Sequence, residues 1–436
     1  MEFKQYSSYK NSGVEWLGEV PEHWNLKRFC YLFAENKKKN IGLKETNVLS
    51  LSYGNIKEKK IDDNKGLLPE SFETYQIIEP NDIVFRFTDL QNDKRSLRSA
   101  ISKYHGIITS AYIAVKTKQN ADFYNYLFRA YDLQKVFYSM GEGMRQSLKM
   151  DELNKMPVVL PSEDEQKRIV AFLNTETTRI DNLITKQEKL IELLEEQRKS
   201  IISHAVTKGL NPNAPMKDSG VEWLGDVPEH WMTPSSKHLL EIPITDGPHE
   251  TPNFVDDGVP FISAEAISKG KIDFDKKRGY ITPELNAIYS KKYSPKIEDI
   301  YMVKSGATTG KVAMVGTTEE FNIWSPLAVF RCNKNKVLPK FLLAVFNSSH
   351  FYDALVLNWS YGTQQNIGMG VLSNIEIPCP PLKEQAEIIQ HLDSQNTKFD
   401  KLISTQSQLI EKLKEYRSSI ISHAVTGKID VREFGA

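Results

Sequence analysis

Residues 12–24 read SGVEWLGEVPEHW, and residues 219–231 read SGVEWLGDVPEHW. Only Glu19 differs, becoming Asp226, and the copies lie 207 residues apart. A second identity, IISHAVT, stands at 201–207 and again at 420–426, 219 residues on. The chain is therefore two copies of one large unit. Its framework is alike in both copies, and the inserts between, about 25–160 and 232–379, diverge. The change of offset from 207 to 219 leaves 12 extra residues in the second insert. A repeated frame holding two different inserts suggests a protein that reads two different things at a fixed separation.

From Gly143 onward an offset of 219 aligns the copies without gaps: Gly143 with Gly362, Gln146 with Gln365, Leu153 with Leu372, Pro161 with Pro380, Glu165-Gln166 with Glu384-Gln385. Segments 161–207 and 380–426 share 24 of 47 residues and contain no Pro or Gly beyond their opening residues. Apolar residues recur in them with heptad spacing, which predicts long coiled-coil helices, each roughly 70 Å long at ~1.5 Å per residue. One seam row reads Leu173, Ile180, Gln187, Leu194, Ile201, and its counterpart Leu392, Phe399, Gln406, Leu413, Ile420. The other row reads Ile169, Glu176, Leu183, Leu190, Gln197, and Ile388, Gln395, Leu402, Leu409, Tyr416. Gln187 and Gln406 occupy equivalent seam positions, either fixing the register or marking a wet point. The simplest partner for each helix is the other copy, as an intramolecular antiparallel pair. Gly209, Pro212 and Pro215 mark 208–218 as an exposed connector. If the C-terminus lies near the N-terminus, the frame is a ring cut once. The expected fold class is α+β: two mixed α/β domains separated by a pair of long antiparallel helices, with a pseudo-two-fold internal repeat.

A chain of 436 residues, 40% hydrophobic and 26% charged, can bury sizeable cores. It has no apolar run of membrane-spanning length and no signal-peptide core, so a cytoplasmic location without membrane association is expected. Three scattered cysteines, Cys30, Cys332 and Cys379, offer neither zinc spacing nor a disulfide framework. Formal net charge is zero, so any basic surface must be local.

Within the inserts, 82–88 and 299–305 read as matching strands, 107–115 and 321–330 as a second pair, and 123–138 and 339–346 as helices. No catalytic site is convincing. SGATTGK at 305–311 has three residues between Gly306 and Gly310 where a phosphate loop needs four, and Val312 replaces the magnesium-binding Ser or Thr. Glu165-Gln166-Lys167 lies beside Glu163 and Asp164 at a helix start, where acids suit the helix dipole. His204 and His423 recur without nearby ligands. Polar and basic clusters remain. Residues 86–98, RFTDLQNDKRSLR, gather Arg86, Gln91, Lys94, Arg95 and Arg98. Residues 141–149, GEGMRQSLK, align with 360–368, SYGTQQNIG. Arg, Gln and Asn side chains match guanine and adenine edges, and Lys and Arg neutralise phosphates. Residues 27–160 carry 22 Lys+Arg against 16 Asp+Glu, so the first insert is net basic, whereas 232–379 balance at 15 and 15.

With these motifs the chain resembles, over nearly its whole length, the specificity subunit of type I restriction-modification systems. SGVEWLGxVPEHW, the run from Gly362-Thr-Gln-Gln-Asn-Ile through Pro380-Pro-Leu and Glu384-Gln385, and residues 299–312 carry the likeness. Ser147 in place of Asn366, and Pro161-Ser-Glu in place of Pro-Pro-Leu, depart from it. The resemblance implies a non-catalytic subunit whose target-recognition domains each read half of a split double-stranded DNA target in the major groove. The helices then set the spacer and dock modification subunits, and restriction subunits join the complex. S-adenosylmethionine, ATP and magnesium belong to those partners, and no cofactor or metal to this chain. The implied division is 1–24 framework, 25–160 first recognition domain, 161–231 central region (helix 161–207, connector 208–218, framework 219–231), 232–379 second recognition domain and 380–436 C-terminal helix region. Expected DNA contacts are Arg86, Gln91, Lys94, Arg95, Arg98, Arg145 and Gln146 in the first half, and Lys304, Thr308, Thr309, Lys311, Gln364, Gln365 and Asn366 in the second. Two other classes stay open: a coiled-coil scaffold for protein partners, and a stand-alone DNA enzyme with a degenerate motif.

Overall fold

Each copy of the doubled motif folds as the same small hairpin. The computed structural model describes residues 3–59, 71–88, 97–140, 147–268, 270–358, 360–361 and 365–434. Strand Tyr9–Asn11 pairs with Glu19–Pro21, and Met216–Asp218 with Asp226–Pro228. Both hairpins close through equivalent backbone bonds, Ser12 N to Gly18 O at 2.9 Å and Ser219 N to Gly225 O at 3.1 Å. Trp24 and Trp231 are fully buried, with Leu17, Val20, Leu224 and Val227 beside them in sequence also buried. The motif is a packing element, as its apolar residues suggest.

The chain divides into two compact units, Met1–Gln187 with Gln408–Ala436, and Glu188–Ser407. In the first, an antiparallel four-stranded sheet runs Phe33–Glu35, Ile113–Thr117, Ile83–Phe85, Ser99–Ile101. Helix Ala121–Leu133 packs an aromatic core against it, where Phe29, Phe33, Phe85, Tyr124 and Phe128 meet edge-on or stacked. Strand Pro157–Leu160 pairs with Asn25–Arg28, so the insert enters and leaves side by side. In the second unit the corresponding sheet runs Thr245–Asp246, Leu327–Phe330, Ile300–Val303, Val312–Met314, again antiparallel. A further three-stranded sheet, Gly279–Ile281, Val259–Ile262, Asn322–Ile323, belongs to this unit alone among the described residues.

Two expected strands are each broken. The run 107–115 forms Gly106–Ile108 and Ile113–Thr117 in different sheets, and 321–330 forms Asn322–Ile323 and Leu327–Phe330, also in different sheets. Turns at 109–112 and 324–327, closed by Tyr112 N to Thr109 O and Leu327 N to Trp324 O, divide the two mostly apolar runs at Thr109-Ser110 and at Ser325-Pro326. The expected helix 123–138 is likewise two helices, because Lys135 takes φ 63° between Ala121–Leu133 and Val136–Met140.

Glu163–Lys208 and Leu382–Val425 are single helices of 46 and 44 residues. In the first unit their segments run antiparallel, since Arg168 reaches Arg432 O at 2.6 Å while Asp181 meets Arg417 at 2.8 Å. In the second unit Arg198 meets Asp400 at 2.6 Å, and Ala205 and Val206 share a core with Ile388 and Leu392. The seam row of Leu173, Ile180, Leu392 and Phe399 is buried, and Gln187, Leu194, Gln406 and Leu413 are half-buried. The second row differs from expectation by one residue. Ile191 and Ile410, with Thr177, Ile184, Arg198, Ile403 and Arg417, face inward, while Leu190, Leu402, Leu409 and Tyr416 are exposed. Polar members make the true row look weak in a hydrophobic count, yet Thr177 Oγ1 and Arg198 Nη2 find partners, while the buried Arg198 Nε has no hydrogen-bond partner among the described residues. Thr177 Oγ1 donates to Leu173 O at 2.7 Å, and Arg198 lies over the Phe399 ring while pairing with Asp400.

The dipeptide repeated as Glu165-Gln166 and Glu384-Gln385 ties insert, frame and helix together. Glu165 accepts from Tyr6 OH at 2.8 Å and pairs with His23, and Glu384 pairs with His230 at 2.7 Å. Fully buried Gln166 accepts from Asn120 N at 3.2 Å and donates to Pro161 O at 3.0 Å, and Gln385 does the same with Leu338 N and Pro380 O, both at 2.8 Å. Asn120 and Leu338 are the N-caps of the first helix that follows each main sheet.

In the first unit the chain ends meet. Asp430 N donates to Lys4 O at 2.8 Å, and Lys428 Nζ to the carbonyls of Leu17 and Glu19. In the second unit Lys208 Nζ serves the matching carbonyls of Leu224 and Asp226. The connector 208–218 continues the frame covalently in the second unit, and these hydrogen bonds stand at the matching place in the first.

Candidate nucleic-acid interface

The two main sheets present equivalent loops at the end of their central strands. In the second unit Ile300–Val303 leads into Lys304, and Ile367 N donates to Lys304 O at 2.8 Å while Gly306 N donates to Gln365 O at 3.1 Å. The loop 304–311 and the strand Gln365–Asn366, distant in sequence, thus form one surface. Gln365, Asn366 and Lys311 are exposed there, and Thr308 is half-buried. In the first unit Ile83–Phe85 leads into Arg86, and Leu148 N donates to Phe87 O at 3.4 Å, the counterpart of the Ile367–Lys304 bond. Arg86 is half-buried at this edge. Gln91, Lys94, Arg95, Arg145, Gln146 and Gln364 lie outside the described residues.

Three nominated residues serve the loops from behind. Arg98 is fully buried, and its guanidinium donates to Thr88 O at 3.2 Å and Tyr138 OH at 3.4 Å while its backbone N donates to Asp132. This corrects its assignment as a base contact: its side chain is spent inside the fold, on Thr88 and Tyr138. Burial raises the Asp132 carboxyl above its ordinary range, with Arg98 N opposing. Thr309 is buried, its hydroxyl donating to Gly306 O at 2.7 Å, so it is a turn brace rather than a base contact. Lys304 is only 13% exposed and pairs with Asp246 at 3.2 Å.

Asp246 is a residue that sequence reasoning missed. Buried at the exit of an edge strand, it also pairs with Lys292 at 2.6 Å and His249 at 3.1 Å. Burial pushes its carboxyl up, but hydrogen bonds and charge from Lys292 and Lys304 outweigh that and hold it below the usual carboxylate range. Two lysine ammonium groups on one carboxylate leave one positive charge in excess within an insert whose charges balance. Gly247 follows because a Cβ there would lie 2.0 Å from Ile323 O. The signal was Asp-Gly-Pro at 246–248, a turn signature not weighed as part of the site. Among the described residues no group of three or more His, Cys, Asp or Glu side chains could hold a metal ion, and no helix is long and apolar enough to cross a membrane.

The model of the type I restriction modification DNA specificity domain matches residues 100–195 and 228–415, well over half of the chain. The chain belongs to this family. It is similar to the MjaX specificity subunit of Methanocaldococcus jannaschii, 24% identical with 99% of each chain covered. It is also similar to the MjaVIII type I restriction enzyme specificity subunit of the same organism, 26% identical with 75% of each covered. A solved structure described as the basis of complex assembly and conformational transition of the type I R-M system shares its fold. The TM-score is 0.65 at 17% identity, covering 93% of this chain and 98% of that one. The α+β fold with a long helix between specificity domains is therefore that of a type I specificity subunit.

Proposed function

We propose that this specificity subunit reads a bipartite, asymmetric DNA target. Inserts 25–160 and 232–379 each contact one half-site in the major groove, and the antiparallel helices set the spacer. The observation that carries this reading is one duplicated frame in which equivalent strands, Ile83–Phe85 and Ile300–Val303, lead into segments of different sequence, 86–88 bonded to Leu148 and 304–311 bonded to 365–367. The base- and phosphate-contacting set is Arg86, Gln91, Lys94, Arg95, Arg145 and Gln146 in the first half, and Thr308, Lys311, Gln364, Gln365 and Asn366 in the second. Lys304 acts there as part of the Asp246 cluster.

Catalysis, with S-adenosylmethionine, ATP and magnesium, resides in modification and restriction subunits, in the cytoplasm. Exposed large apolar side chains on the helices support docking of a protein partner: Leu193 and Leu402 in the second unit, Leu409 and Tyr416 in the first. Single-molecule methylome sequencing of a host expressing this chain with its modification subunit tests the reading. A split adenine-methylated motif is expected. Methylation that is independent of this chain, or a continuous motif read by one insert, overturns it.

A further inference from the structure

A six-residue pattern inside the inserts recurs unnoticed by the framework alignment: Leu51-Ser-Tyr-Gly-Asn-Ile56 and Ile267-Ser-Lys-Gly-Lys-Ile272, offset by 216. Both segments form antiparallel strand pairs. Ser52 pairs with Asn55 and Leu51 with Ile56, while Ser268 pairs with Lys271 and Ile267 with Ile272. Each lies against the fourth strand of its main sheet, Ser99–Ile101 or Val312–Met314, the strand that follows the loop already nominated for DNA. In the second unit Met314 N donates to Gly270 O at 3.1 Å. In the first, Arg129 Nη2 donates to Gly54 O at 2.8 Å, and a Cβ on Gly54 would lie 2.9 Å from Leu97 Cβ, next to Arg98.

The first hairpin holds Tyr53 at φ 47° and Gly54 at φ 72°, a turn that suits Asn-Gly and strains a tyrosine. That tyrosine is nevertheless 74% exposed and packs into no core. The hairpin's faces are sharply divided. Leu49, Leu51 and Ile56 are buried, while the other face carries Ser50, Ser52, Asn55, Lys57 and Lys59 and, among the described residues of the hairpin, no carboxylate. Glu58 lies on the opposite register and accepts from Asn47 at 3.2 Å. Among the described residues the Asn55 amide makes only a 3.3 Å bond, to Tyr53 O. A strained, exposed aromatic on an anchored tip, with a polar, cationic ribbon face beside it, fits the major groove of DNA, which admits a two-stranded β-ribbon.

We propose that these hairpins are second reading elements, one in each half-site: Tyr53 and Asn55 contact bases in the first and Lys271 in the second, with Lys57 on a phosphate. Asn55 suits the adenine N6/N7 edge and Lys271 the guanine O6/N7 edge. The proposal rests on the DNA-reading function above and adds elements that neither loop pair contains.

The test uses the full chain assembled with its modification subunits, in Tyr53→Asn, Asn55→Ala and Lys271→Ala forms, read by methylome sequencing and by unfolding midpoint. Asparagine accepts positive φ, so Tyr53→Asn keeps the turn. Each variant is expected to lose discrimination about tenfold or more at one base position, in the first half-site for Tyr53 and Asn55 and in the second for Lys271, with the midpoint unchanged. An unchanged motif in all three variants overturns the hairpins' role and leaves the specificity reading standing. Equal loss from both half-sites with a lowered midpoint marks a purely structural hairpin and overturns it as well. A wild-type complex that methylates no split motif overturns the parent reading, and this proposal with it.

Discussion

Arg198 Nη2 lies 2.6 Å from Asp400 Oδ1, and 219 residues along in one partner and back in the other the pair recurs as Arg417 and Asp181, 2.8 Å apart. One ion pair is thus made twice, once in each compact unit, with the helix that supplies the arginine exchanged. Arg198 also lies over the Phe399 ring, 5.7 Å from its centre, so its stem fills the seam while its charge reaches the surface. Because Asp400 is largely exposed, the charge pair itself is worth only about 0.5 kcal/mol, and the arginine's packing adds a comparable amount. A double-mutant cycle of Arg198→Ala and Asp400→Ala, followed by chemical denaturation, should give a coupling of about 0.5 kcal/mol that shrinks in high salt. Arg198→Ala alone should cost more than Asp400→Ala, because only it removes seam packing. Equal costs would place the arginine's whole effect in its charge.

Gln385 joins three segments with one amide: it accepts from Leu338 N and donates to Pro380 O and, at 3.1 Å, to Lys336 O. Gln385→Leu should cost about 1–3 kcal/mol for each buried group left unpaired. The loss should appear as early exposure of the 336–346 backbone to hydrogen exchange, whereas Gln385→Glu should preserve the acceptor bond to Leu338 N. Uniform protection in the leucine variant would show that the amide does not seat the helix Pro339–Phe346.

Much of the frame could be read from the sequence because duplication supplies what an alignment otherwise would. Leu173, Ile180, Leu392 and Phe399 emerged from heptad spacing, and Trp24 and Trp231 from identity. The second seam row slipped by one because Thr177 and Arg198 hide their burial behind polar names. Arg98 and Thr309 looked like readers because sequence does not distinguish an arginine facing DNA from one bracing the loop that does. Asp246 and the hairpin tips were missed for the opposite reason. Their chemistry depends on segments distant in sequence bringing Lys292, Lys304 and Leu97 beside them.

The three cysteines should separate cleanly by reactivity. Cys30 is exposed, Cys332 and Cys379 are buried, and burial pushes the Cys332 thiol up to about 12 and raises Cys379 as well. Alkylation requires the thiolate and access. Iodoacetamide on the native chain should modify Cys30 alone, and all three in denaturant, as read by peptide mass spectrometry. Native labelling of Cys332 at a rate near that of Cys30 would contradict the buried position of Leu327–Phe330 and its neighbours.

Asp246 should give the second unit an acid-sensitive edge. Its folded pKa is depressed, so its contribution to stability is fully present above the unfolded value of about 3.9 and is lost as pH falls through the lower folded value. Between pH 7 and pH 3 the wild type should lose stability relative to Asp246→Asn, narrowing the gap between them. Above pH 5 the asparagine variant should be the weaker by a constant amount, since Lys292 and Lys304 keep their charge without their counter-ion. A gap that stays fixed down to pH 2 would show that the carboxylate's pairing with the lysines does not govern the edge strand.

The helices offer the most direct test of spacing. Gln187 and Gln406 stand at equivalent seam positions, and the Gln187 Oε1 atom is buried with no hydrogen-bond partner among the described residues. Such an atom in a seam costs stability and is tolerated where it discriminates against other registers. Insertion of one heptad at equivalent points of both helices keeps the buried row continuous and lengthens each by about 10 Å. On the proposed function, the unspecified spacer should then grow by roughly three base pairs at ~3.4 Å per step, with both half-sites unchanged. Insertion into one helix alone should instead break the Arg198–Asp400 or Arg417–Asp181 pairing and lower stability. A folded double insertion whose methylated motif keeps its original spacer would separate the helices from any role as a ruler, and Gln187→Leu, expected to be neutral or stabilising, would then report on register alone.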